Sequence, residues 1–169
     1  LGSSNPGRAV DLAVPSLEGR VVHSNRGQAG IDGTIATAVG ICLGSGYADE
    51  ASAASDERVT AVMGDLTACH DASSLALAAS TGAHLDIVVA DDHGGGIFAT
   101  LEHGRATSPE AYDRWFGLAQ PVDYEALAAA YGVAFARAGE PRELEDLLDR
   151  PVRGPRLIHA PVERAEDLY

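Results

Sequence analysis

Three short runs of this chain are apolar with almost no alternation: VTAVM at 59–63, LDIVVA at 85–90 and RLIHA at 156–160. A strand with one wet face alternates, because successive side chains point to opposite faces. A strand that is apolar at nearly every position is buried on both faces. The stretches between the runs carry helical patterning and helix-end signals, so each run is followed by a crossover rather than a hairpin. That combination demands a parallel sheet with helices on both sides. The fold class is therefore α/β, a three-layer α/β/α sandwich with a mostly parallel central sheet. A length of 169 residues suits a single such domain spanning 1–169.

The finer reading adds a short β-rich run at 21–24 and a small-residue helix from Gly30 to about Gly46. A second helix opens at Thr67 or His70, runs through Ser80 and is closed by Gly82. Residues 49–58 read as a polar loop, and 101–121 as a long connection with a short helix at 109–116. A helix at 124–131 stops at Gly132, a strand follows at 133–136, and Pro141 suits the first turn of a helix at 141–148. In open parallel sheets ligands bind beyond the carboxyl ends of the strands. The loops after Ser24, Met63 and Ala90 are therefore the places to look.

Charge narrows the functional classes. With 25 acidic and 12 basic residues the net charge is −13, the opposite of the basic footprint that nucleic acid requires. No apolar stretch approaches the ~20 residues of a membrane span. No basic segment followed by an apolar one opens the chain, so no signal peptide is expected. Cys42 and Cys69 are too few for a disulfide framework and lie in alanine-rich apolar context, which reads as buried free thiols in a cytoplasmic protein.

Two strand ends match each other. Gly64-Asp65 follows one strand; Asp91-Asp92 and then Gly94-Gly95-Gly96 follow the next, with one helical connection between them. Neighbouring strands would bring Asp65 and Asp92 to the same edge, where two carboxylates repel unless a hard cation lies between them. Magnesium takes one or two carboxylates plus phosphate oxygens and water. Glycines let backbone carbonyls and amides face the same ion and its phosphates, and a helix start adds free N–H groups. The residues point to a magnesium–diphosphate site. The competing reading makes Asp65 a helix cap and Asp91-Asp92 the start of a turn. His70-Asp71 reads as helix capping rather than a catalytic pair, and His93 could be a third ligand only if the loop bends.

Gly64-Asp65, followed 27 residues later by Asp92 in ADDHGG, resembles the thiamin-diphosphate motif. Leu66 stands where that motif has a third glycine, and Asp91-Asp92 stand where it has two asparagines. SNRGQAGIDGTIATAVG at 24–40, GDLTACHDASSLAL at 64–77 and DDHGGGIF at 91–98 resemble one subgroup of these enzymes, the 2-succinyl-5-enolpyruvyl-6-hydroxy-3-cyclohexene-1-carboxylate synthases of menaquinone biosynthesis.

The resemblance implies the C-terminal, diphosphate-binding domain of a longer enzyme, without its N-terminal pyrimidine-binding and middle domains. It implies that Asp65, Asp92 and the Gly94 carbonyl hold magnesium, with manganese as a substitute. Ile31 would force the bent shape of thiamin diphosphate, and Gly30, Gly64 and Leu66 would line it. Ser4, Arg8 and Arg26 would contact substrate, with Ile97 and Phe98 as an apolar wall. Arginine is the natural partner of the family's carboxylate substrates, 2-oxoglutarate and isochorismate, because its planar fork is bidentate and always charged. The cofactor-activating glutamate would come from the pyrimidine-binding domain of a second subunit in a homodimer or homotetramer, so no catalytic residue is expected in this chain and the chain alone should be inactive. Another thiamin-diphosphate decarboxylase or lyase, and a non-catalytic domain with the same fold, remain open alternatives.

Overall fold

The computed structural model describes residues 1–25, 30–46, 58–150 and 153–164. Four strands, β1 (Val59–Gly64), β2 (Leu85–Asp91), β3 (Ala134–Arg137) and β4 (Arg156–Pro161), form one sheet of order β1-β2-β4-β3. Every pairing is parallel. The helices are α1 (Asn5–Ala13), α2 (Thr34–Gly44), α3 (Asp65–His70), α4 (Leu75–Thr81), α5 (Glu102–Ala106), α6 (Pro109–Tyr112), α7 (Tyr124–Tyr131) and α8 (Pro141–Leu148).

The pleat divides the side chains between two cores. Met63, Leu85, Ile87, Val89 and Leu157 face α2, α4 and α7, where they meet Ile35, Val39, Leu75 and Ala128. Val88, Ile158 and Ala160 face the other way, against Leu144, Leu147 and Leu148 of α8. Helix α1 covers β1. Each fully buried aliphatic side chain contributes roughly 1.5–3 kcal/mol. The near-continuous apolarity of β2 follows from burial on both faces, whereas β1 alternates, with Thr60 exposed and Val62 half-buried, because the sheet edge leaves its second face partly open.

Helices α7 and α8 coincide with their expected bounds because local chemistry sets both ends. The Asp123 carboxylate accepts from the Ala126 amide, and Gly132 ends α7 in the left-handed conformation at φ 70°. Glu140 and Glu143 form a capping box ahead of α8.

Four expectations need correction. Residues 21–24 form no strand, and Val21 is 85% exposed. A strand needs a ladder, and the edge of β1 is met at Val62 by the Gly2 amide at 2.8 Å. Residues 21–25 meet the chain start, where the Leu1 ammonium donates to the His23 carbonyl at 2.7 Å, and α2, where the Asn25 side-chain amide donates to the Thr37 hydroxyl at 3.1 Å. The helix expected from Gly30 begins at Thr34, after Gly33 at φ 66°. The helix expected through Ser80 begins at Asp65 and breaks at Asp71. Asp71 leaves the helical path to cap α2, its Oδ2 accepting from the Ile35 and Ala36 amides at 2.7 and 3.0 Å. Finally, Cys42 is buried, its thiol pushed up to about 11 by desolvation, whereas Cys69 is only half-buried. The polar loop expected at 49–58 lies outside the described residues except for Arg58.

The connection after β2 is more ordered than a loop. Residues Gly96–Thr100 make a 3₁₀ turn, and α6 continues directly into a wide π-type turn, Asp113–Gly117. Leu118, at φ 46°, ends it in the left-handed region.

Candidate functional site

Strands β1 and β2 are neighbours, with Gly64 opposite Ala90, so the residues that follow them emerge side by side. Asp65 is the first residue of α3 and only 2% exposed. Its Oδ1 accepts from the Leu66 amide at 2.8 Å. Its Oδ2 is buried with no hydrogen-bond partner among the described residues. Burial pushes the carboxyl up to about 6, as do the charges of Asp92 and Asp91, against the opposing pull of the Leu66 amide and, more weakly, the Gly94 amide. An acid held in this way favours either a proton or a cation.

The two consecutive aspartates part company at the strand end, as a two-residue pleat requires. Asp91 faces the α7 side. There its Oδ2 lies 2.9 Å from His159 Nε2, and its Oδ1 accepts from the His93 amide at 3.0 Å. Asp92 turns toward α1. Burial raises its pKa, the Arg164 charge lowers it, the Asp91 charge raises it, and hydrogen bonding from the Asn5 side chain lowers it. Asp91 is thus a structural acceptor that sets the turn, and Asp92 is the carboxylate left facing Asp65. The exposed His93 ring points back at Asp91, its Nδ1 3.5 Å from Asp91 Oδ1.

The three glycines have steric causes. Gly94 sits at φ 124°, a conformation that side chains rarely adopt. A Cβ there would overlap the Gly117 carbonyl, one on Gly95 would overlap the Phe116 carbonyl, and one on Gly96 would strike the Asp92 carboxylate.

A cavity of about 370 Å³ opens in front of these groups. Its polar end carries Asp65, Asp92, Gly64 and Gly94, and Leu66 stands beside them. Ser4, Ile31, Ile97 and Phe98 complete the walls expected from the sequence. Ile31, Ile97 and Phe98 are half-buried. Gly30 and Arg8 are not in the wall; Arg8 lies one helical turn beyond Ser4 on α1, its amide donating to the Ser4 carbonyl at 3.4 Å. Arg26 lies outside the described residues. Sequence reasoning missed Asn5, Pro6, Thr67 and Val162 as wall residues. Asn5 had a signal, a polar side chain directly after Ser4. Val162 had none, since only the β4 register brings it there, its amide donating to the Asp91 carbonyl at 2.9 Å.

A wider cleft of about 530 Å³ lies at the other end and edge of β1, between residues 20–25 and 59–61. Among the described residues it is lined by no carboxylate, so charge rather than size marks the site. Among the described residues no three His, Cys, Asp or Glu side chains gather as a metal cluster. A cation between Asp65 and Asp92 would complete its shell with backbone or ligand oxygens, which suits magnesium and not zinc. The orphaned Asp65 Oδ2 fits that role.

Comparison with known proteins gives the family and supports the fold. Residues 8–160 match the family described as thiamine pyrophosphate enzyme, C-terminal TPP binding domain. The chain is 41% identical over 97% of its length to a 2-succinyl-5-enolpyruvyl-6-hydroxy-3-cyclohexene-1-carboxylate synthase of Renibacterium salmoninarum, covering 29% of that protein. Proteins of the same name from Paenarthrobacter aurescens and Mycobacterium tuberculosis are 44% and 42% identical over 98% of the chain, which covers 28% and 30% of them. The chain therefore spans less than a third of the length of these relatives. A crystal structure of benzoylformate decarboxylase from Polynucleobacter necessarius superposes with a TM-score of 0.60 over 78% of this chain and 23% of that one, at 21% identity, a likeness of fold.

Proposed function

This chain belongs to the thiamine pyrophosphate enzymes, through their C-terminal TPP-binding domain, and on that premise we propose that it anchors the diphosphate of thiamin diphosphate through magnesium in a succinyl-enolpyruvyl-hydroxycyclohexene-carboxylate synthase of menaquinone biosynthesis. The observation that carries the reading is Asp65: a carboxylate 2% exposed, with one oxygen unpartnered and a second carboxylate, Asp92, beside it.

Asp65, Asp92 and the Gly94 carbonyl hold the ion, magnesium or manganese. Gly64 and Leu66 bring bare backbone and an apolar side chain to the cofactor, Ile31 packs against it, and Gly30 lies just beyond. When bound, thiamin diphosphate supplies the electron sink that lets a 2-oxo acid lose carbon dioxide. Ile97 and Phe98 keep water from the cavity. Ser4, Arg8 and Arg26 bind the carboxylates of 2-oxoglutarate and isochorismate. The remaining protein supplies the middle domain and, from a second subunit of a homodimer or homotetramer, the pyrimidine-binding domain with the activating glutamate. The enzyme is cytoplasmic, and the 169 residues alone do not turn over.

Calorimetric titration of the full-length protein with thiamin diphosphate, with magnesium or with EDTA, tests the half-site. Magnesium-dependent heat that disappears in Asp65→Ala is expected; heat unchanged by EDTA or by the substitution refutes it. Product analysis with 2-oxoglutarate and isochorismate tests the synthase assignment, and decarboxylation without the coupled product would assign the domain to another decarboxylase.

A further inference from the structure

The turn that carries Asp92 and Gly94 has local bonds, from the His93 amide to Asp91 Oδ1 and from the Phe98 amide to the Gly95 carbonyl, both at 3.0 Å, and is tied to the fold by a distant segment. Gly95, its middle glycine, has both backbone groups also bonded to the segment at residues 112–117. The Tyr112 hydroxyl, on a residue 8% exposed, donates to the Gly95 carbonyl at 2.9 Å, a buried bond. The Gly95 amide donates to the Gly117 carbonyl. Phe116 fills the space between, its ring 6.1 Å from Tyr112 and 5.7 Å from Phe98. Arg164 adds a third hold, donating to the His93 carbonyl at 2.8 Å with its guanidinium 6.0 Å from the Tyr112 ring.

The segment supplying these groups is irregular where it meets the turn. The helical path widens into the π-type turn at Asp113–Gly117 and ends on a left-handed leucine. Wide turns and left-handed non-glycine residues are unfavourable locally and cluster where a fold must aim a group. Here the widened turn presents the Phe116 and Gly117 carbonyls to the glycines, so closely that neither Gly94 nor Gly95 can carry a side chain.

We propose that Tyr112 is a positioning residue for the metal-binding turn: its hydroxyl fixes the Gly95 carbonyl and thereby holds Asp92 and Gly94 against Asp65. The inference rests on the magnesium–diphosphate reading of the site. A buried tyrosine hydroxyl needs a partner, and without it the Gly95 carbonyl keeps only the Phe98 amide at 3.0 Å, a bond within the turn that does not tie it to the rest of the fold. Tyr112→Phe removes that one bond and keeps the ring and its stacking. Phe116→Leu loosens the aromatic stack while leaving the hydroxyl bond in place.

The test uses the full-length protein and three readouts: the magnesium concentration that half-saturates thiamin diphosphate binding by calorimetry, the melting temperature, and amide exchange at residues 93–98. Tyr112→Phe is expected to raise the half-saturating magnesium concentration about five- to tenfold and to speed exchange at the turn, with little change in melting temperature. Phe116→Leu is expected to lower the melting temperature more and the magnesium response less. Unchanged magnesium response and unchanged exchange in Tyr112→Phe would overturn the proposal, as would a magnesium loss that simply follows melting temperature in both variants. If the wild-type protein takes up no cofactor with magnesium, the reading of the site fails. Amide exchange then still decides whether Tyr112 holds the turn.

Discussion

The two ends of β2 bury carboxylates in opposite ways. At its start, Asp86 is 0% exposed and faces two guanidinium groups. Arg156 Nε donates to Oδ1 at 2.7 Å, and Arg58 Nε lies 2.7 Å from Oδ2 as an ion pair off the hydrogen-bonding direction. The Arg156 fork also donates to the Leu147 carbonyl, tying α8 to the sheet. At the other end, Asp65 and Asp92 share a wall to which no cationic side chain contributes among the described residues; His159 is engaged with Asp91, and Arg164, which donates to the His93 carbonyl, acts on Asp92 alone of the two. One carboxylate between two arginines is an internal brace. Two carboxylates pushed up by burial, Asp65 further by the Asp92 charge and Asp92 by Asp91, form a wall that favours a proton or a cation. Burial of charge is common to both ends; only the balance of charge separates structure from function.

Substitution should give opposite signs at the two ends. Asp86→Ala strands two buried arginines and should cost about 3–5 kcal/mol, a fall in melting temperature of roughly 10 °C for a domain of this size. Asp65→Asn removes a buried charge and should raise the melting temperature of the metal-free chain, while abolishing magnesium-dependent cofactor binding. Thermal melts paired with calorimetry check both. Destabilisation by Asp65→Asn would erase the distinction.

The pH dependence sharpens the same contrast. The folded pKa of Asp65 is raised from 3.8 to about 6, so between those values the folded state holds more protons than the unfolded state. The stability contributed by this group is fully present below about pH 4 and is lost as pH rises through 6. The loss is on the order of 3 kcal/mol for a shift of this size. The difference in stability between metal-free wild type and Asp65→Asn should therefore widen from pH 4 to pH 7. Because magnesium needs the ionised carboxylate, its apparent affinity should fall as pH drops through 6. Melts across this range, repeated with added magnesium, check both slopes.

The smallest effect belongs to Asp91, the carboxylate at this end that pairs with a histidine. His159→Gln should cost about 1–2 kcal/mol through the weakened acceptor pair. It should disturb magnesium binding far less than Asp65→Ala, as melting and calorimetry together would show.

What the sequence revealed follows the range of the forces involved. Strands β2 and β4 were legible because burial on both faces is written as continuous apolarity, β1 was legible as an apolar run although one of its faces is partly open, and α7 and α8 because caps lie within four residues of the ends they fix. The pairing of Asp65 with Asp92 was legible because a single helical crossover makes β1 and β2 neighbours. The strand expected at 21–24 failed because a strand depends on its partner edge, which Gly2 already meets. The break at Asp71 was hidden because its carboxylate serves α2, 35 and 36 residues away in sequence. The brace around Asp86 left a trace, a lone aspartate in an apolar run, but its arginines are distant in sequence. Asn5 and Tyr112 act only through tertiary contact.

The central claim is that the unpartnered Asp65 oxygen is a metal ligand. The most direct test is a crystal of the full-length protein grown with thiamin diphosphate and manganese, with anomalous density used to locate the ion. The account expects a peak between Asp65 and Asp92, bonded to Asp65 Oδ2, with diphosphate oxygens in the same shell. A peak elsewhere, or cofactor bound with Asp65 Oδ2 protonated and no metal beside it, would contradict it.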